Sequence, residues 1–311
     1  MSSSVLVVGS VALDTIQTPF GKREDALGGS ATFFSTAASL LAPVRLVAVI
    51  GEDFPEAHVD MLRGRKVDLA GLTRVRGGKT FRWSGRYGAN LNDAETLDTQ
   101  LNVFADFAPE LPEHYRDTDF VFLANIHPAL QLKILDQVRK PRLVALDTMN
   151  FWISGERAKL LEVLKRVDVL TLNDGEARLL AGEHNIVRAA RAIQSMGVRT
   201  LVIKRGEYGA LLFEGHDHVF WAPAYPLEDV FDPTGAGDTF AGGFIGYLSR
   251  VPSTSHIYLR QAMVMGCVMA SFTVEEFSVD RLRRVTHDEL KERFNTFRRL
   301  TSFDEIEDLL A

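Results

Sequence analysis

The chain has 311 residues, enough to bury a sizeable core as one large domain or as one with a small appendage. Its 41 acidic and 35 basic side chains give a formal charge of −6, and no basic block stands out, which argues against a nucleic-acid partner. The single cysteine, Cys267, lies in the apolar run 262–270; it excludes an intrachain disulfide, fits a reducing cytoplasm and reads as a packing residue.

Met1-Ser2-Ser3-Ser4 runs directly into Val5-Leu6-Val7-Val8, without the basic flank and long apolar core of a signal peptide. No apolar run is long enough to cross a bilayer, and the expected compartment is the cytoplasm. Short apolar runs over 5–8, 44–49, 120–123, 143–146, 167–172 and 200–203 predict buried strands. Helical spacing over 31–41, 128–138, 158–166 and 186–196 falls between several of them. This alternation predicts a three-layer α/β fold around a mainly parallel sheet. Helices are expected to close the chain over 237–248, 259–272, 287–298 and 303–310. Two segments break the pattern. The stretch 14–28 is polar and holds a Pro-Phe-Gly turn, and 80–90 alternates aromatic and basic residues with period two. Together they predict a small sheet over the carboxyl edge of the large one, either a lid that excludes water or an ordinary β-excursion.

The most informative string is Asp232-Pro233-Thr234-Gly235-Ala236-Gly237-Asp238-Thr239-Phe240. Small residues at the start of an apolar helix expose backbone N–H groups, and these with the helix dipole make an anion site. Asp238 beside such a site is either a helix N-terminal stabiliser or a general base aimed at a hydroxyl about to meet a phosphate. No Gly-x-x-x-x-Gly-Lys-Ser/Thr string occurs, and Gly235, Gly237 and Phe240 do not fit Gly-x-Gly-x-x-Gly. Elsewhere the residues alone read more plainly. Asp14 after the first strand reads as a turn or cap, and Gly28-Gly29-Ser30-Ala31 as a glycine-rich helix entry. Asn173 and Glu176 have the spacing of a capping box before helix 177–180. Lys204 and Arg205 suit either a phosphate or a solvated surface. Val49-Ile50-Gly51-Glu52-Asp53 reads as structural, His127 as structural or rim, and Asp147 and Asn150 as residues behind a site rather than in it.

The string 232–240 resembles the second signature of the ribokinase-like (PfkB-type) carbohydrate kinases, Asp-x-x-Gly-Ala-Gly-Asp-x-Phe. The resemblance covers nearly the whole chain. It implies a single three-layer α/β/α ribokinase-like domain over 1–311, with a β lid built from about 14–28 and 80–90. It also implies ATP-dependent phosphorylation of a primary hydroxyl. Asp238 would be the base, and the N–H groups of Gly235, Ala236 and Gly237 would hold the transferring phosphoryl group. Asp14, Gly28, Gly29 and Ser30 would hold the acceptor. Asn173, Glu176, Lys204, Gly206, Gly209 and Thr234 would surround the nucleotide. Glu176 would organise Mg²⁺, mostly through water, and Asp232 lies where many members bind a monovalent cation such as K⁺. A homodimer through the lid is a further expectation.

Two departures bear on the substrate. Phe33 stands where many members have Asn, and Lys204-Arg205-Gly206 where most have Thr-Leu-Gly. Phe33 is either core or the border of a flatter, more apolar acceptor. The expected acceptor is a sugar of ribose, fructose or keto-deoxy type. The alternative is a nucleoside of adenosine type, stacked on Phe33, Phe81, Trp83 or Tyr87. A non-catalytic sensor is a third reading, and the intact Gly-Ala-Gly-Asp argues against it.

Overall fold

The computed structural model describes residues 3–302. Nine strands form the large sheet. From one edge they run β13 (His218–Ala222), β12 (Ala210–Glu214), β11 (Thr200–Lys204), β10 (Val169–Asn173), β9 (Leu143–Asp147), β8 (Phe120–Leu123), β1 (Val5–Val8), β4 (Val44–Gly51) and β5 (Val67–Val75). Neighbours from β11 to β5 pair in parallel; β12 pairs antiparallel with both β11 and β13. Unbroken apolar runs such as Val5–Val8 are what a parallel sheet covered on both faces requires. Val5 and Val7 pack against α1 (Ser30–Ala38), α8 (Ala236–Leu248) and α9 (His256–Thr273). Leu6 and Val8 face the opposite layer, whose helices include α3 (Pro128–Leu135), α5 (Arg157–Leu164), α6 (Asp174–Ala181) and α7 (Ile186–Gln194). The remaining helices are α2 (Glu56–Gly64), α4 (Asn150–Gly155) and α10 (His287–Thr301). No helix among the described residues is long and apolar enough to cross a membrane.

A separate sheet holds four strands in the order β3 (Gly21–Gly28), β2 (Ala12–Thr18), β6 (Phe81–Tyr87) and β7 (Ala94–Gln100). The two segments that break the sequence alternation thus do pair, with β2 beside β6 in parallel. The sheet begins earlier than expected, at Ala12, and gains β7, every residue of which is exposed. A strand without a buried face leaves no apolar alternation to read. Strands β5, β12 and β13 and helices α2 and α4 also carried no clear signal, whereas the helix expected over 303–310 lies outside the described residues. Asp53 ties the sheets together: its Oδ1 accepts from both Thr80 N–H and Thr80 Oγ1 at 2.7 Å. The run 49–53 is structural, as its sequence suggests.

Candidate active site

Strands β9, β10 and β11 are parallel neighbours, so all three end on the same side of the sheet: Asn173 lies in register with Lys204, and Asp147, the last residue of β9, with Thr171. Lys204 Nζ donates to Asp147 Oδ2 at 2.7 Å, with side-chain exposures of only 18% and 6%. Thr148 N–H holds the other carboxylate oxygen at 2.8 Å. The ammonium also reaches the first turn of α8, because a Cβ added to Gly237 would lie 3.0 Å from Nζ. Lys204 therefore belongs to the site and not to the surface, and Asp147 is its direct partner rather than a residue behind it. Burial opposes the charge on Lys204, but Asp147 and Glu176 outweigh it and raise the pKa of the ammonium.

Asp238 sits half-buried in the first turn of α8. Burial, then the charge of Asp147, push its carboxyl up to about 7, against the pull of Lys204. Burial and Asp147 push Glu176 up to about 7 in the same way. Asp147, Glu176 and Asp238 thus share one ammonium, which leaves a surplus of negative charge suited to a cation. Glu176 is held in place by a full capping box: its Oε2 accepts from Asn173 N–H, and Asn173 Oδ1 from Glu176 N–H, both at 2.7 Å. Among the described residues no three His, Cys, Asp or Glu side chains form a closed metal cage. Glu176 and Asp147 fit a divalent ion held mainly by phosphates and water, which is how Mg²⁺ binds beside nucleotides.

The loop before α8 needs Gly235. Its φ is +73°, and a Cβ there would lie 2.3 Å from the ring of Phe33. Phe33 is 1% exposed, so it is the floor beneath this loop and not a wall of the acceptor site. The expected trio of phosphate donors is Gly235, Ala236 and Gly237. Ala236 N–H already donates to Pro233 O at 3.2 Å. Gly237 N–H, in a first helical turn without an intrahelical acceptor, remains available. Asp232 is fully buried and pins the loop, accepting from Thr234 N–H at 2.9 Å and Ser278 N–H at 2.8 Å. Thr234 Oγ1 donates to Tyr87 OH at 3.2 Å, which links the loop to the small sheet.

Asp14 lies on β2, 4% exposed, with Oδ1 buried and without a hydrogen-bond partner. Burial pushes its carboxyl up to about 7; Asp232 and Asp238 add to the push and Gly29 N–H opposes it. A Cβ on Gly28 would lie 1.8 Å from Asp14 Oδ2, so a side chain there would displace the carboxylate. Gly29 takes φ +93° with Ser10 O close by. Ser30 is spent internally: its Oγ accepts from Ser10 N–H at 3.2 Å and lies 3.1 Å from Ser10 Oγ. Trp83 pairs in register with Asp14, so both side chains share a face of the small sheet. Its indole lies over Gly85, where a Cβ would be 2.0 Å from the ring, and its Nε1 donates to Thr96 Oγ1 at 3.2 Å. Phe81 packs on Phe104 instead, ring to ring at 5.4 Å.

Beside Lys204 opens a cleft of 1160 Å³ whose lining includes Gly206, Gly209, Gly237, Phe240 and Cys267. Gly209, at φ +83°, has no room for a side chain, since a Cβ would lie 2.1 Å from Ala222 O. Cys267 is buried as expected but also borders this cleft, and burial pushes its thiol up to about 12, an unreactive state. The loop 224–230 and the α9 residues that complete the lining escaped sequence reading, because small apolar residues look like core. His127 caps α3, accepting from Ala129 N–H at 3.0 Å. Asn150 is exposed and bonds only its neighbour Phe151 N–H, at 2.8 Å.

Residues 3–282 match the model of the pfkB family carbohydrate kinases. The chain belongs to that family. It is 33% identical over 252 residues to a cytidine kinase of Thermococcus kodakarensis, covering 79% of this chain and 88% of that protein. It is 29% identical over 260 residues to a 2-dehydro-3-deoxygluconokinase of Thermoproteus tenax, covering 73% and 75%. Among solved structures, a Burkholderia thailandensis nucleoside kinase in complex with inosine superposes with a TM-score of 0.76 at 20% identity, covering 94% of this chain and 97% of that one. An Arabidopsis thaliana ribokinase complexed with ribose and ATP does so with a TM-score of 0.76 at 20% identity, covering 94% and 99%. The protein is therefore a kinase of the PfkB family.

One prediction follows for this kinase from Gly237. A valine there meets only the flexible end of Lys204 and not rigid backbone. Gly237→Val should keep the fold and lose turnover, because the displaced ammonium and the blocked N–H both leave the phosphate site. Circular dichroism with a rate assay checks this; an unfolded variant would make the glycine structural instead.

Proposed function

We propose that this kinase phosphorylates the primary hydroxyl of a nucleoside, with a pyrimidine nucleoside such as cytidine as the first candidate. The observation that carries the reading is Trp83. Its ring lies over Gly85, on the same sheet face as the unpartnered carboxylate oxygen of Asp14. A planar base against the indole and a ribose diol on Asp14 would satisfy both; stacking is worth about 1–3 kcal/mol per base. The name of the 33% identical relative supports the same class. A sugar acid is disfavoured, because Asp14 already feels the charges of Asp232 and Asp238. Binding titrations of cytidine, adenosine, ribose and fructose on wild type and Trp83→Ala test the class. Cytidine should bind and should lose about tenfold in the variant; tight binding of a free sugar with none of either nucleoside would refute it.

In the proposed reaction Asp238 takes the proton of the acceptor hydroxyl as that oxygen attacks the γ-phosphorus of ATP. The bond to the β-phosphate oxygen breaks, and ADP leaves. The N–H groups of Gly235 and Gly237, with Lys204, stabilise the charge on the transferring group. Bound Mg²⁺ would neutralise phosphate charge, with Glu176 and Asn173 orienting its waters. The small sheet acts as a lid, and Asp14 orients the acceptor. Asp232, a buried carboxylate with no salt-bridge partner among the described residues, suits K⁺ near the anion loop. Comparison of rates in KCl and in tetramethylammonium chloride checks that assignment. The fully exposed β7 edge suits pairing with a second copy, which light scattering would detect as a dimer. The setting we infer is cytoplasmic, and fractionation of the source cells checks it.

Two predictions test the assigned roles. Asp14→Ala should raise KM for the acceptor at least tenfold and that for ATP less than twofold; equal rises would place Asp14 in general architecture. The second concerns pH. Asp238 is pushed up to about 7, so below that the free enzyme carries a protonated base. kcat/KM for ATP should therefore fall as pH drops below about 7, close to tenfold per unit for one essential base. A profile flat down to pH 5 would remove Asp238 as the titrating base.

A further inference from the structure

The tip of the β6–β7 hairpin reaches across to the cleft beside Lys204. Phe20 and residues 89–92 of the small sheet border that cleft together with Lys204, Gly206 and Glu207. Asn92 makes the closest approach: a Cβ on Gly206 would lie 1.8 Å from its Oδ1. Its Nδ2 lies 3.5 Å from Glu207 Oε1. The turn also holds Asn92 in place, because Asn90 Oδ1 accepts from Asn92 N–H at 3.0 Å and from Nδ2 at 3.2 Å. Within the same hairpin, Tyr87 is bonded to Thr234 in the anion loop. Residues 87–92 therefore run from the phosphate end of the cleft to the turn 206–208.

The chemistry at the two ends differs. The phosphate end has Lys204 and the N–H groups of α8. The far end pairs a carboxamide with a carboxylate, a poor match for phosphate and a good one for hydroxyl donors. Gly206 is two residues beyond Lys204, so the next group along a nucleotide whose phosphates lie at Lys204 is its ribose. Resting on the donor placement proposed above, we infer that Asn92 and Glu207 read the ribose hydroxyls of the donor nucleotide. The hairpin tip is thus part of the donor site, and the small sheet covers donor and acceptor alike.

Equilibrium titrations of ATP, 2′-deoxy-ATP and 3′-deoxy-ATP with Mg²⁺ and no acceptor test this on wild type, Asn92→Ala, Glu207→Gln and Lys204→Gln. Wild type should bind ATP about tenfold more tightly than at least one deoxy form, the loss expected for one charge-assisted hydrogen bond. Asn92→Ala and Glu207→Gln should each bring that preference below threefold. Asn92 and Glu207 are exposed, so neither change threatens the fold. Equal wild-type affinity for all three nucleotides would overturn the inference, as would a preference undiminished in Asn92→Ala. Lys204→Gln should weaken all three equally; if it does not, the donor placement itself fails. No acceptor is present, so an error in the nucleoside reading leaves this result unaffected.

Discussion

Asp238→Asn should lower kcat by roughly 10²–10⁴ while ATP binding stays near that of wild type. The change keeps size and hydrogen bonding but removes proton acceptance. It also removes one of the carboxylates around Lys204. The folded-state pKa of Asp238 is raised, so folding favours its protonated form. Its contribution to stability is therefore lost as pH rises from the unfolded value of 3.8 through about 7. Above pH 7 the Asn variant should melt higher than wild type, and below pH 4 the two should converge. An inactive and more stable variant separates catalysis from folding. Wild-type turnover would remove Asp238 from the mechanism.

Lys204→Gln should act on both. It leaves Asp147, 6% exposed, without its cation and exposes Glu176 and Asp238 to unrelieved repulsion. Breaking a fully buried pair costs about 3–5 kcal/mol, and the partial exposure of Lys204 places this case at or below the lower end. Turnover should fall by roughly 10²–10³, the loss typical of one transition-state charge donor. Adding Asp147→Asn should restore most of the melting temperature and none of the turnover. Recovery of both would make the pair purely structural.

The parts of this site legible in the sequence are those written in one contiguous string. Asp238 and its glycines announce an anion-binding helix start because a local turn and a helix dipole need no distant partner. The Lys204–Asp147 pair spans 57 residues and exists only because β9, β10 and β11 lie in parallel register. Nothing local in Lys204-Arg205 distinguishes it from a surface pair. Phe33 was ambiguous for the same reason: its partner, Gly235, comes from the far end of the chain. The large sheet was legible because strands covered on both faces read as apolar runs. β7 was not, because no side of it is buried. The hydroxyl contacts of Thr234 to Tyr87 and of Ser30 to Ser10 likewise join segments distant in the chain, so nothing local announces them.

The central claim is that the Asp238 site transfers phosphate from ATP to a nucleoside. The most direct measurement is acceptor-dependent ADP release from MgATP, run with cytidine, adenosine, ribose and fructose, with mass spectrometry of the products. Cytidine should give release, with a nucleoside 5′-monophosphate as product, and Asp238→Asn should lose both. Release with a free sugar alone, or undiminished release in Asp238→Asn, would contradict it.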